Sequence, residues 1–578
     1  MLNYRSFAKR YVAPLWPWYV VGLCFLALTN FITVKIPNLA GTITDSLEAT
    51  DRNSLEEMAL AIIGLGVAQI LCRSLSRILI FWPGRQVEAT SKTSLFSHVI
   101  NLRQDFLDRI GVGDLISRLA NDLGQLRVFF AFGMLQVFNL MLLLFFTLSQ
   151  MWTSNAKLTL ICLIPIALMV FLTKFAMPKL QKYNRLNQEY LGVLTNQVTE
   201  AFSNAHTVKS NGAETSFVGR CATEIHKVYQ TNIKLITIRT FLFPLVGSLS
   251  SISQIIVLFF GGNEVIEGRL SIGSILAFNV YLSILAFPLT SLGIIISIYQ
   301  RGKAALNRLD EVDREKAENT GQGDHPKVVV EGSPSIISLK NLSFTYAGDD
   351  KKSSRAFALK DMTLEIKEGQ KIGFCGPVGA GKSTLLNVLA LLYPPLSNSV
   401  FYGGQDLSKV DPHDHRHDIA YALQIPHLFS DTIRANLTFG LPQLPTDEQI
   451  ESAARMACIL DDISKFPDGW NTQVGEKGVR LSGGQKQRLA LARLFLRPAK
   501  VWLLDDVFAA VDTNTEQTMI QNIFSQDRTI LLSSHRPGAL RKCDQVYYIE
   551  DGVIRDQGLF DQLEIRHPNL GALKPDEP

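Results

Sequence analysis

The run 376–384 has the residue types and the spacing that bind the phosphates of a nucleotide. It reads Gly-Pro-Val-Gly-Ala-Gly-Lys-Ser-Thr, it follows the strand-like stretch Lys371–Cys375, and it precedes a helix-compatible run over 385–392. This is the P-loop pattern in the strand–loop–helix context that it requires. Backbone N–H groups of the loop surround the phosphates, Lys382 contacts the β- and γ-phosphates, and Ser383 binds Mg²⁺. The predicted phosphate-binding residues of the loop are Gly376, Gly379, Gly381, Lys382, Ser383 and Thr384.

Two further stretches suit phosphate chemistry. The run 481–485, Leu-Ser-Gly-Gly-Gln, places small residues at what reads as a helix start, and the free N–H groups and the dipole of such a terminus favour anions. The apolar run 501–504 ends in Asp505 and Asp506, which predicts a buried strand that delivers two carboxylates to its carboxyl end. Taken alone, each stretch could also be an ordinary glycine-rich turn or an acidic strand end.

Composition divides the chain into two unlike halves. Its 578 residues are 47% hydrophobic and 19% charged, but long apolar runs dominate residues 15–300, whereas 301–578 resemble an ordinary soluble domain. The net charge of +4 is too small to indicate a nucleic-acid-binding protein. The seven cysteines are scattered without metal-type pairing, which favours reduced thiols, and no cleavable signal peptide is evident.

The amino-terminal half contains six stretches long enough to cross a bilayer, which takes about 20 apolar residues. They cover 16–39, 57–82, 128–151, 157–177, 240–261 and 273–299. The long connections after the second and fourth spans are rich in Lys and Arg, whereas the short first connection is acidic. The positive-inside rule therefore predicts that the long connections and both termini are cytoplasmic. We expect an all-α six-helix membrane domain over 1–310, a Gly- and Pro-containing linker over 311–335, and an α/β P-loop domain over 336–578.

Two arginines inside the second span are candidates for function. Arg73 and Arg77 share one helix face at i, i+4 spacing. Charges within spans usually face a bundle interior or water. The alternative is that both lie near the cytoplasmic end of the span and extend to the interface. Pro244 and Pro288 lie within the last two spans, where they either shape a cavity by kinking a helix or serve ordinary packing.

Together these motifs resemble those of the ABC transporter superfamily over nearly the whole chain. Behind the P-loop stand, in family order, Gln424 of an Ala-Leu-Gln run, the 481–485 signature, a Walker B strand ending at Asp505, Asp512 of the D-loop, and His535 of a Ser-Ser-His-Arg run. The run 474–478 is similar to the X-loop of ABC exporters, and 84–88, 95–96, 113–118 and 208–214 resemble the intracellular helices of six-span exporter halves. The chain thus resembles an exporter half-transporter, in which a membrane domain is fused to a nucleotide-binding domain.

The resemblance implies a role for each of these residues. Tyr346 would stack on adenine, Gln424 would approach Mg²⁺ and the attacking water, and Asp505 would hold Mg²⁺ through water. His535 would contact the γ-phosphate, and Ser482, Gly484 and Gln485 belong to the signature that would bind the γ-phosphate of ATP on the other protomer. The resemblance therefore implies a dimer that uses ATP and Mg²⁺.

One residue departs from the family pattern. Most members have Glu directly after the Walker B aspartate, as the general base or water-positioning residue, and this chain has Asp506. A general base must lie within about 2.6–3.2 Å of the proton or act through water, and a misplacement of about 1 Å can cost about 10²-fold in rate. We expect ATP binding with slow hydrolysis at the site built on this P-loop, and we expect Asp506, His535 and Gln424 to carry what hydrolysis there is.

The sequence therefore predicts an ATP-driven exporter half of a bacterial cytoplasmic membrane, with a hydrophobic or amphipathic substrate. A heterodimer is favoured, because a partner with Glu would use the intact signature of this chain to build a competent site, as in the bacterial heterodimeric multidrug exporters that the chain resembles. The alternatives are a homodimeric lipid flippase of the same architecture and an ATP-gated regulatory or channel-like protein.

Overall fold

The computed structural model describes residues 4–48, 52–290, 292–318, 335–346, 358–475, 481–509, 511–568 and 570. The chain forms two compact units. Unit 1 comprises Met1–Ser97 and Leu115–Arg314, and unit 2 comprises His98–Asp114 and Glu315–Pro578. The predicted linker residues 319–334 and the predicted X-loop residues 476–478 lie outside the described residues.

The amino-terminal part of the chain is helical. Its α-helices are α1 (Tyr4–Phe7), α2 (Trp16–Glu48), α3 (Arg52–Ile100), α4 (Gln104–Ile110), α5 (Val112–Ser117), α6 (Leu123–Val128), α7 (Met134–Ser154), α8 (Ala156–Ser203), α9 (Ala205–Ser210), α10 (Glu214–Ile256), α11 (Gly262–Ile266), α12 (Ile272–Thr290) and α13 (Leu292–Arg314). Short π-helical segments over Ala8–Val12, Arg118–Asp122, Phe129–Gly133 and Val257–Gly261 and a 3₁₀ turn over Ala13–Leu15 join several of them.

Five helices of the described chain are long and apolar enough to cross a membrane. They are Ala8–Leu47, Glu56–Ile100, Val112–Ser154, Ala156–Ser203 and Glu214–Ile266. Each contains one of the first five predicted spans. The sixth predicted span, 273–299, falls on α12 and the start of α13, where Ile272–Leu285 forms a shorter apolar helix.

Unit 1 has its own apolar core, and close helix packing is part of it. Val34, Met151, Val257 and Phe278 come from four different helical segments and are each at most 4% exposed. Where α2 meets α12, a Cβ on Gly41 would lie 2.4 Å from the Gly273 carbonyl oxygen, so only glycine fits at this approach. Small residues allow such backbone contact between spans.

Unit 2 combines α4 with two sheets and a set of short helices. Its strands are β1 (Ile337–Phe344), β2 (Leu359–Ile366), β3 (Lys371–Cys375), β4 (Val400–Tyr402), β5 (Gln405–Asp406), β6 (Ile419–Ala422), β7 (Val501–Asp505), β8 (Thr529–Ser533), β9 (Gln545–Glu550) and β10 (Val553–Gly558). Its further helices are α14 (Lys382–Leu389), α15 (Pro412–Asp418), α16 (Ile433–Thr438), α17 (Asp447–Met456), α18 (Leu460–Lys465), α19 (Gly483–Phe495), α20 (Thr513–Phe524), α21 (Pro537–Leu540) and α22 (Phe560–Arg566).

The six-stranded sheet of unit 2 positions the chemistry-bearing residues. Its strand order is β10-β9-β3-β8-β7-β6, with β9, β3, β8, β7 and β6 parallel. Phe374 and Asp505 both pair with Ser533, so the carboxyl ends of β3, β7 and β8 are level. Such an edge is where ligands bind in open α/β sheets. The second sheet, β2-β1-β4-β5, is antiparallel.

Helix α4 joins the rest of unit 2 through polar contacts. The Tyr393 hydroxyl donates a hydrogen bond to Asp108, and Arg109 lies 3.7 Å from Glu315. Nearby, the Arg416 guanidinium donates to both carboxylate oxygens of Glu318, at 2.9 and 3.0 Å. Such bidentate pairs are the stronger kind of ion pair.

The buried histidine of α15 makes unit 2 sensitive to acid. The Nε2 atom of His415 donates to the Leu389 carbonyl at 2.8 Å, while its Nδ1 atom is buried without a partner among the described residues. Burial lowers the pKa of His415 from 6.5 to about 4. Between these values the unfolded chain binds the proton more readily, so the free energy of unfolding falls as the pH drops from 6.5 towards 4, by roughly 3 kcal/mol in total.

We therefore expect His415→Gln to flatten the acid limb of unfolding. The measurement is the thermal unfolding midpoint of unit 2 in the full chain between pH 7.5 and 4.5. His413→Gln is the matched control, because His413 lies exposed on the same helix. Equal pH dependence of the His415→Gln and His413→Gln proteins would show that His415 does not carry this effect.

Candidate functional site

A cavity of about 730 Å³ opens at the edge of the six-stranded sheet where β3, β7 and β8 end. It collects most of the site residues that the sequence predicts. Those that line it are Tyr346, Gly379, Gly381, Lys382, Ser383, Thr384, Gln424, Asp505, Asp506 and His535. Of the described residues that were predicted to belong to the site, four do not line the cavity: Gly376, Ser482, Gly484 and Gln485.

The loop before α14 has the backbone geometry of a phosphate cradle. Gly381 has φ +104°, and a Cβ there would lie 2.7 Å from the Ala358 carbonyl oxygen. Gly376 has φ +139°, and its Cβ would lie 1.9 Å from the Ile549 carbonyl oxygen. Both positions therefore require glycine, because L-residues avoid this conformation and no room exists for a side chain. The eight-residue α14 begins at Lys382, so its amino terminus points its dipole and N–H groups at this loop.

Lys382 is held at the cavity by the loop itself. Its Nζ atom donates to the carbonyl oxygens of Gly376 and Pro377 at 2.8 and 3.0 Å. The side chain is buried, and desolvation lowers the pKa of Lys382, with the carboxylates of Asp505 and Asp506 opposing that shift. Because the Lys382 ammonium is desolvated, its charged form is stabilised when an anionic phosphate enters the cavity.

Asp505 and Ser383 form an oxygen-donor pair that fits Mg²⁺. Asp505 ends β7 and is 4% exposed, and it accepts hydrogen bonds from the hydroxyls of Ser383 and Ser533. Burial raises the pKa of Asp505 and these hydrogen bonds oppose it. Carboxylate and hydroxyl oxygens suit Mg²⁺, which usually takes one or two protein ligands plus phosphate oxygens and water. No cluster of three or more His, Cys, Asp or Glu that could hold a metal occurs among the described residues.

Asp506 occupies a left-handed turn at the end of β7. Its φ is +46°, a region in which Asp and Asn are enriched among non-glycine residues. Its N–H donates to the Ser533 carbonyl at 2.8 Å, and Gln487 Nε2 donates to its carbonyl at 3.0 Å. The backbone is thus fixed on both sides, and the reach of the carboxylate is set by the length of its side chain.

His535 faces the same cavity from the loop after β8. Burial is the largest cause that lowers the pKa of His535, and Lys382 lowers it further, so the imidazole is neutral at neutral pH. A neutral imidazole donates a hydrogen bond from one nitrogen and accepts one at the other.

Tyr346 forms an aromatic wall of the cavity. Its ring meets Tyr393 at 5.0 Å and Phe344 at 5.1 Å in edge-to-face geometry, and its hydroxyl donates to Thr384 Oγ1 at 3.1 Å. These contacts fix a π-face in the cavity, which suits stacking on a base.

We expect Tyr346→Ala to weaken ATP binding about 10-fold or more, since base–aromatic stacking is worth about 1–3 kcal/mol. Tyr346→Phe keeps the ring and removes only the hydroxyl, so it should retain most of the affinity. Equilibrium titration with a fluorescent ATP analogue measures both. Equal losses in the two variants would mean that the hydroxyl rather than the ring face carries the affinity.

The signature segment lies at the start of α19 and has a capping box. Ser482 Oγ accepts from the Gln485 N–H at 3.2 Å, while Gln485 Oε1 accepts from the Ser482 N–H at 3.0 Å. Gln485 Nε2 also donates to Asp462 at 2.9 Å, and Asp462 pairs with Arg488 at 2.8 Å. The amide of Gln485 is therefore used within the fold, whereas the Ser482 hydroxyl keeps its proton for an external acceptor.

Several residues of the cavity are not among the site residues that the sequence predicts. Thr345, Lys360, Ser533, Asp551 and Gly552 also line the cavity. The Asp-Gly pair 551–552 joins β9 to β10, and such a dipeptide between two strand-like runs is a recognisable hairpin signal. Nothing in the sequence around Lys360 indicates that β2 reaches the P-loop.

Comparison with known proteins agrees with both halves of the chain. The family model of the ABC transporter transmembrane region matches residues 19–289, and the ABC transporter model matches residues 359–509. This chain belongs to the ABC transporters. It is a multi-pass membrane protein of the exporter type with an ATP-hydrolysing, nucleotide-binding domain fused behind its membrane domain.

Three bacterial relatives match this chain along nearly their full length. The chain is 29% identical over 558 residues to the probable multidrug resistance ABC transporter ATP-binding/permease protein YheI of Bacillus subtilis, covering 95% of this chain and 93% of that protein. It is 28% identical to the multidrug resistance-like ATP-binding protein MdlA of Escherichia coli, covering 95% and 92%. It is 26% identical to the ATP-dependent lipid A-core flippase of Escherichia coli, covering 94% and 92%.

Proposed function

We propose that this chain is one half of a heterodimeric exporter that moves hydrophobic or amphipathic compounds out across the inner membrane. Its partner is a second half-transporter with Glu at the position of Asp506. The site on this chain's P-loop binds ATP and hydrolyses it slowly, whereas the site that uses its signature is competent. The nucleotide-binding domain and both termini lie in the cytoplasm, with boundaries near 1–310, 311–335 and 336–578.

The observation that carries this proposal is the separation of the two phosphate-binding segments. The cavity on the P-loop contains Asp505 and Asp506, but the signature residues do not line it. The exposed start of α19 thus offers its N–H groups and the Ser482 hydroxyl to a nucleotide bound elsewhere. A second protomer supplies that nucleotide, so the short carboxylate of Asp506 affects only one of the two sites.

Each residue of the cavity has a task in this scheme. Lys382 and the loop N–H groups hold the phosphates, and Tyr346 positions the base. Asp505 and Ser383 hold Mg²⁺, which neutralises charge on the β- and γ-phosphates when bound. Gln424 orients water, and His535 donates a hydrogen bond to the γ-phosphate. Asp506 accepts the proton of that water, and because its fixed backbone leaves the carboxylate one methylene short, this step is slow.

The same contacts explain how ATP would drive transport. ATP held between the P-loop of one protomer and the signature of the other favours the closed pair of nucleotide domains, and the cytoplasmic helices carry that motion to the spans. Helix α4, joined to Tyr393 through Asp108, supports such a connection, because Tyr393 also packs against Tyr346.

Co-purification tests the heterodimer. The tagged chain, expressed from its native host, should bring down a different half-transporter with Glu after its Walker B aspartate, and the complex should hydrolyse ATP much faster than the chain alone. The proposal fails if the purified chain alone hydrolyses ATP at normal exporter rates and Asp506→Asn abolishes that activity.

A homodimeric lipid flippase is the second candidate, favoured by the 26% identity to the lipid A-core flippase along nearly the whole chain. In that case the chain would purify as a homodimer, and vesicles containing it alone would show ATP-dependent, vanadate-sensitive movement of a labelled lipid. The heterodimer proposal expects neither result.

A further inference from the structure

Unit 1 contains a polar cavity of about 370 Å³ among its membrane helices. Helices α2, α3, α7 and α12 each contribute to its wall. Arg73 and Arg77 of α3 line it, together with Asn30 of α2 and Gln136 and Asn139 of α7. Its volume lies in the range of small-molecule sites, which run from about 300 to 1,000 Å³.

Arg73 lies deep in its span. Trp18 lies at the start of the first predicted span and Trp82 ends the second, and their rings contact each other at 5.1 Å. Tryptophan is enriched at the membrane–water interface, so this pair indicates where the two spans leave the hydrocarbon core. Trp82 follows Arg77 by about 7.5 Å and Arg73 by about 13.5 Å along the helix, at about 1.5 Å per residue. Arg73 is therefore near the middle of a hydrocarbon core about 30 Å thick, too deep to be explained by extension to the interface.

The charge of the two guanidiniums is not neutralised within the described chain. Neither Arg73 nor Arg77 makes an ion pair or a side-chain hydrogen bond among the described residues, and no Asp or Glu lines the cavity. The six predicted spans contain one acidic residue between them, Glu57, at the far end of the second span. Charges inside membrane spans normally have a partner, so the two guanidiniums favour an anion in this cavity.

The other polar groups of the cavity are uncharged, and they offer a ligand hydrogen-bond donors. The hydroxyls of Thr29, Thr33 and Ser76 donate to carbonyls of their own helices, at 2.7 to 2.8 Å. Asn30 donates to Asn139 Oδ1 at 3.0 Å, which fixes the Asn139 amide and leaves its NH₂ group as a donor. Leu26, Leu135, Leu143 and Ile284 supply apolar wall beside these groups.

We propose that this cavity binds the acidic head group of an amphipathic anion, a phosphate, carboxylate or sulfate joined to an apolar chain. The guanidiniums of Arg73 and Arg77 bind the head group, and the Asn139 amide adds a hydrogen bond. Guanidinium matches the geometry of these anions, and the apolar wall takes the start of the chain. This inference rests on the proposed export function and names the class of compound that the membrane domain accepts.

Equilibrium binding without ATP tests it, with the full chain and any co-purifying partner in nanodiscs of neutral phosphatidylcholine. Dodecyl phosphate and dodecyltrimethylammonium share one apolar chain and differ in charge, and inorganic phosphate reports the anion alone. Isothermal titration, corrected with empty nanodiscs, should show dodecyl phosphate binding at least about 10-fold tighter than either of the others, since hydrogen bonds to charged groups are the stronger ones.

The variants assign that preference to the arginines. Arg73→Gln with Arg77→Gln should lower dodecyl phosphate affinity about 10-fold or more. Arg73→Lys with Arg77→Lys should lower it less, because the charge remains and only the guanidinium geometry is lost. Lys174→Gln is the matched control, because Lys174 lies on α8 and does not line the cavity. A monodisperse size-exclusion profile in detergent, with the thermal unfolding midpoint of the unmodified protein, shows that the membrane domain of each variant is folded.

Three outcomes would overturn the proposal. They are equal affinity for the anionic and cationic amphiphiles in the unmodified protein, equal affinity for dodecyl phosphate and inorganic phosphate, and unchanged affinity in the double glutamine variant. The last would point to a carboxylate of the partner that already neutralises the arginines. Export without preference for an anionic head group would contradict this inference but not the proposed function. Binding of dodecyl phosphate without ATP-driven transport would contradict the proposed function but not this inference.

Discussion

Asp506→Glu should raise the hydrolysis rate at the P-loop of this chain by about 10-fold to 100-fold. The expected gain comes from reach alone. The backbone of residue 506 is held by hydrogen bonds to Ser533 and Gln487, so one added methylene moves the carboxylate towards the attacking water. A carboxylate within hydrogen-bond distance of that water is a better general base.

The hydrolysis rate at this chain's P-loop must be measured in a complex whose other ATP site, on the partner's P-loop, is inactivated. Ser482→Ala in this chain weakens the site on the partner's P-loop, so the added activity of Asp506→Glu should be visible in the Ser482→Ala background. Asp506→Asn in that background is the control, because it keeps the size of the side chain and removes the base. If Asp506→Glu and Asp506→Asn gave the same rate, side-chain length at this position would not limit hydrolysis.

Ser482→Ala alone should lower ATP hydrolysis by the complex about 100-fold or more. Removing one positioned donor from a site that stabilises developing charge costs about 10² to 10³ in rate. The Ser482 hydroxyl accepts from the Gln485 N–H within its own helix, which leaves its proton free for the γ-phosphate of the other protomer's ATP. The loss should appear in the rate, with ATP affinity at this chain's own P-loop unchanged.

The chain contains a matched control for the structural part of this effect. Thr446 caps α17 with a capping box of the same kind, in which its side chain accepts from the Gln449 N–H and Gln449 reaches back. Thr446→Ala should cost about 1 kcal/mol of stability, as should Ser482→Ala. Only Ser482→Ala should also lower the rate of ATP hydrolysis. Similar activity losses in both variants would assign the effect to helix capping.

The site of the nucleotide domain was largely predictable because its signals are local. A glycine-rich loop between a strand and a helix determines the positions of Lys382 and Ser383, and the apolar run before Asp505 determines a buried strand. The parallel pairing of β3, β8 and β7 then brings their carboxyl ends together. The cavity accordingly collects ten of the predicted residues.

What the sequence could not provide depends on long-range packing. Lys360 reaches the cavity because β2 passes beside the P-loop, and the sequence around Lys360 contains no sign of this. The left-handed backbone at Asp506 is likewise invisible in the chain order, although it explains why the reach of the carboxylate cannot adjust. In the membrane half, the positions of Arg73 and Arg77 on one face were evident, but the neighbouring Asn30 and Asn139 that complete the cavity come from two other helices.

Photolabelling during turnover tests the asymmetry of the two ATP sites most directly. The complex is supplied with Mg²⁺ and an azido-ATP carrying its radiolabel on the γ-phosphate, irradiated, and separated into its two chains. A slow site on this chain predicts that the γ-label remains on this chain, near Tyr346, and is lost from the partner. Loss of the γ-label from both chains at the same rate would contradict the account, since the site of Asp506 would then hydrolyse ATP as fast as its counterpart.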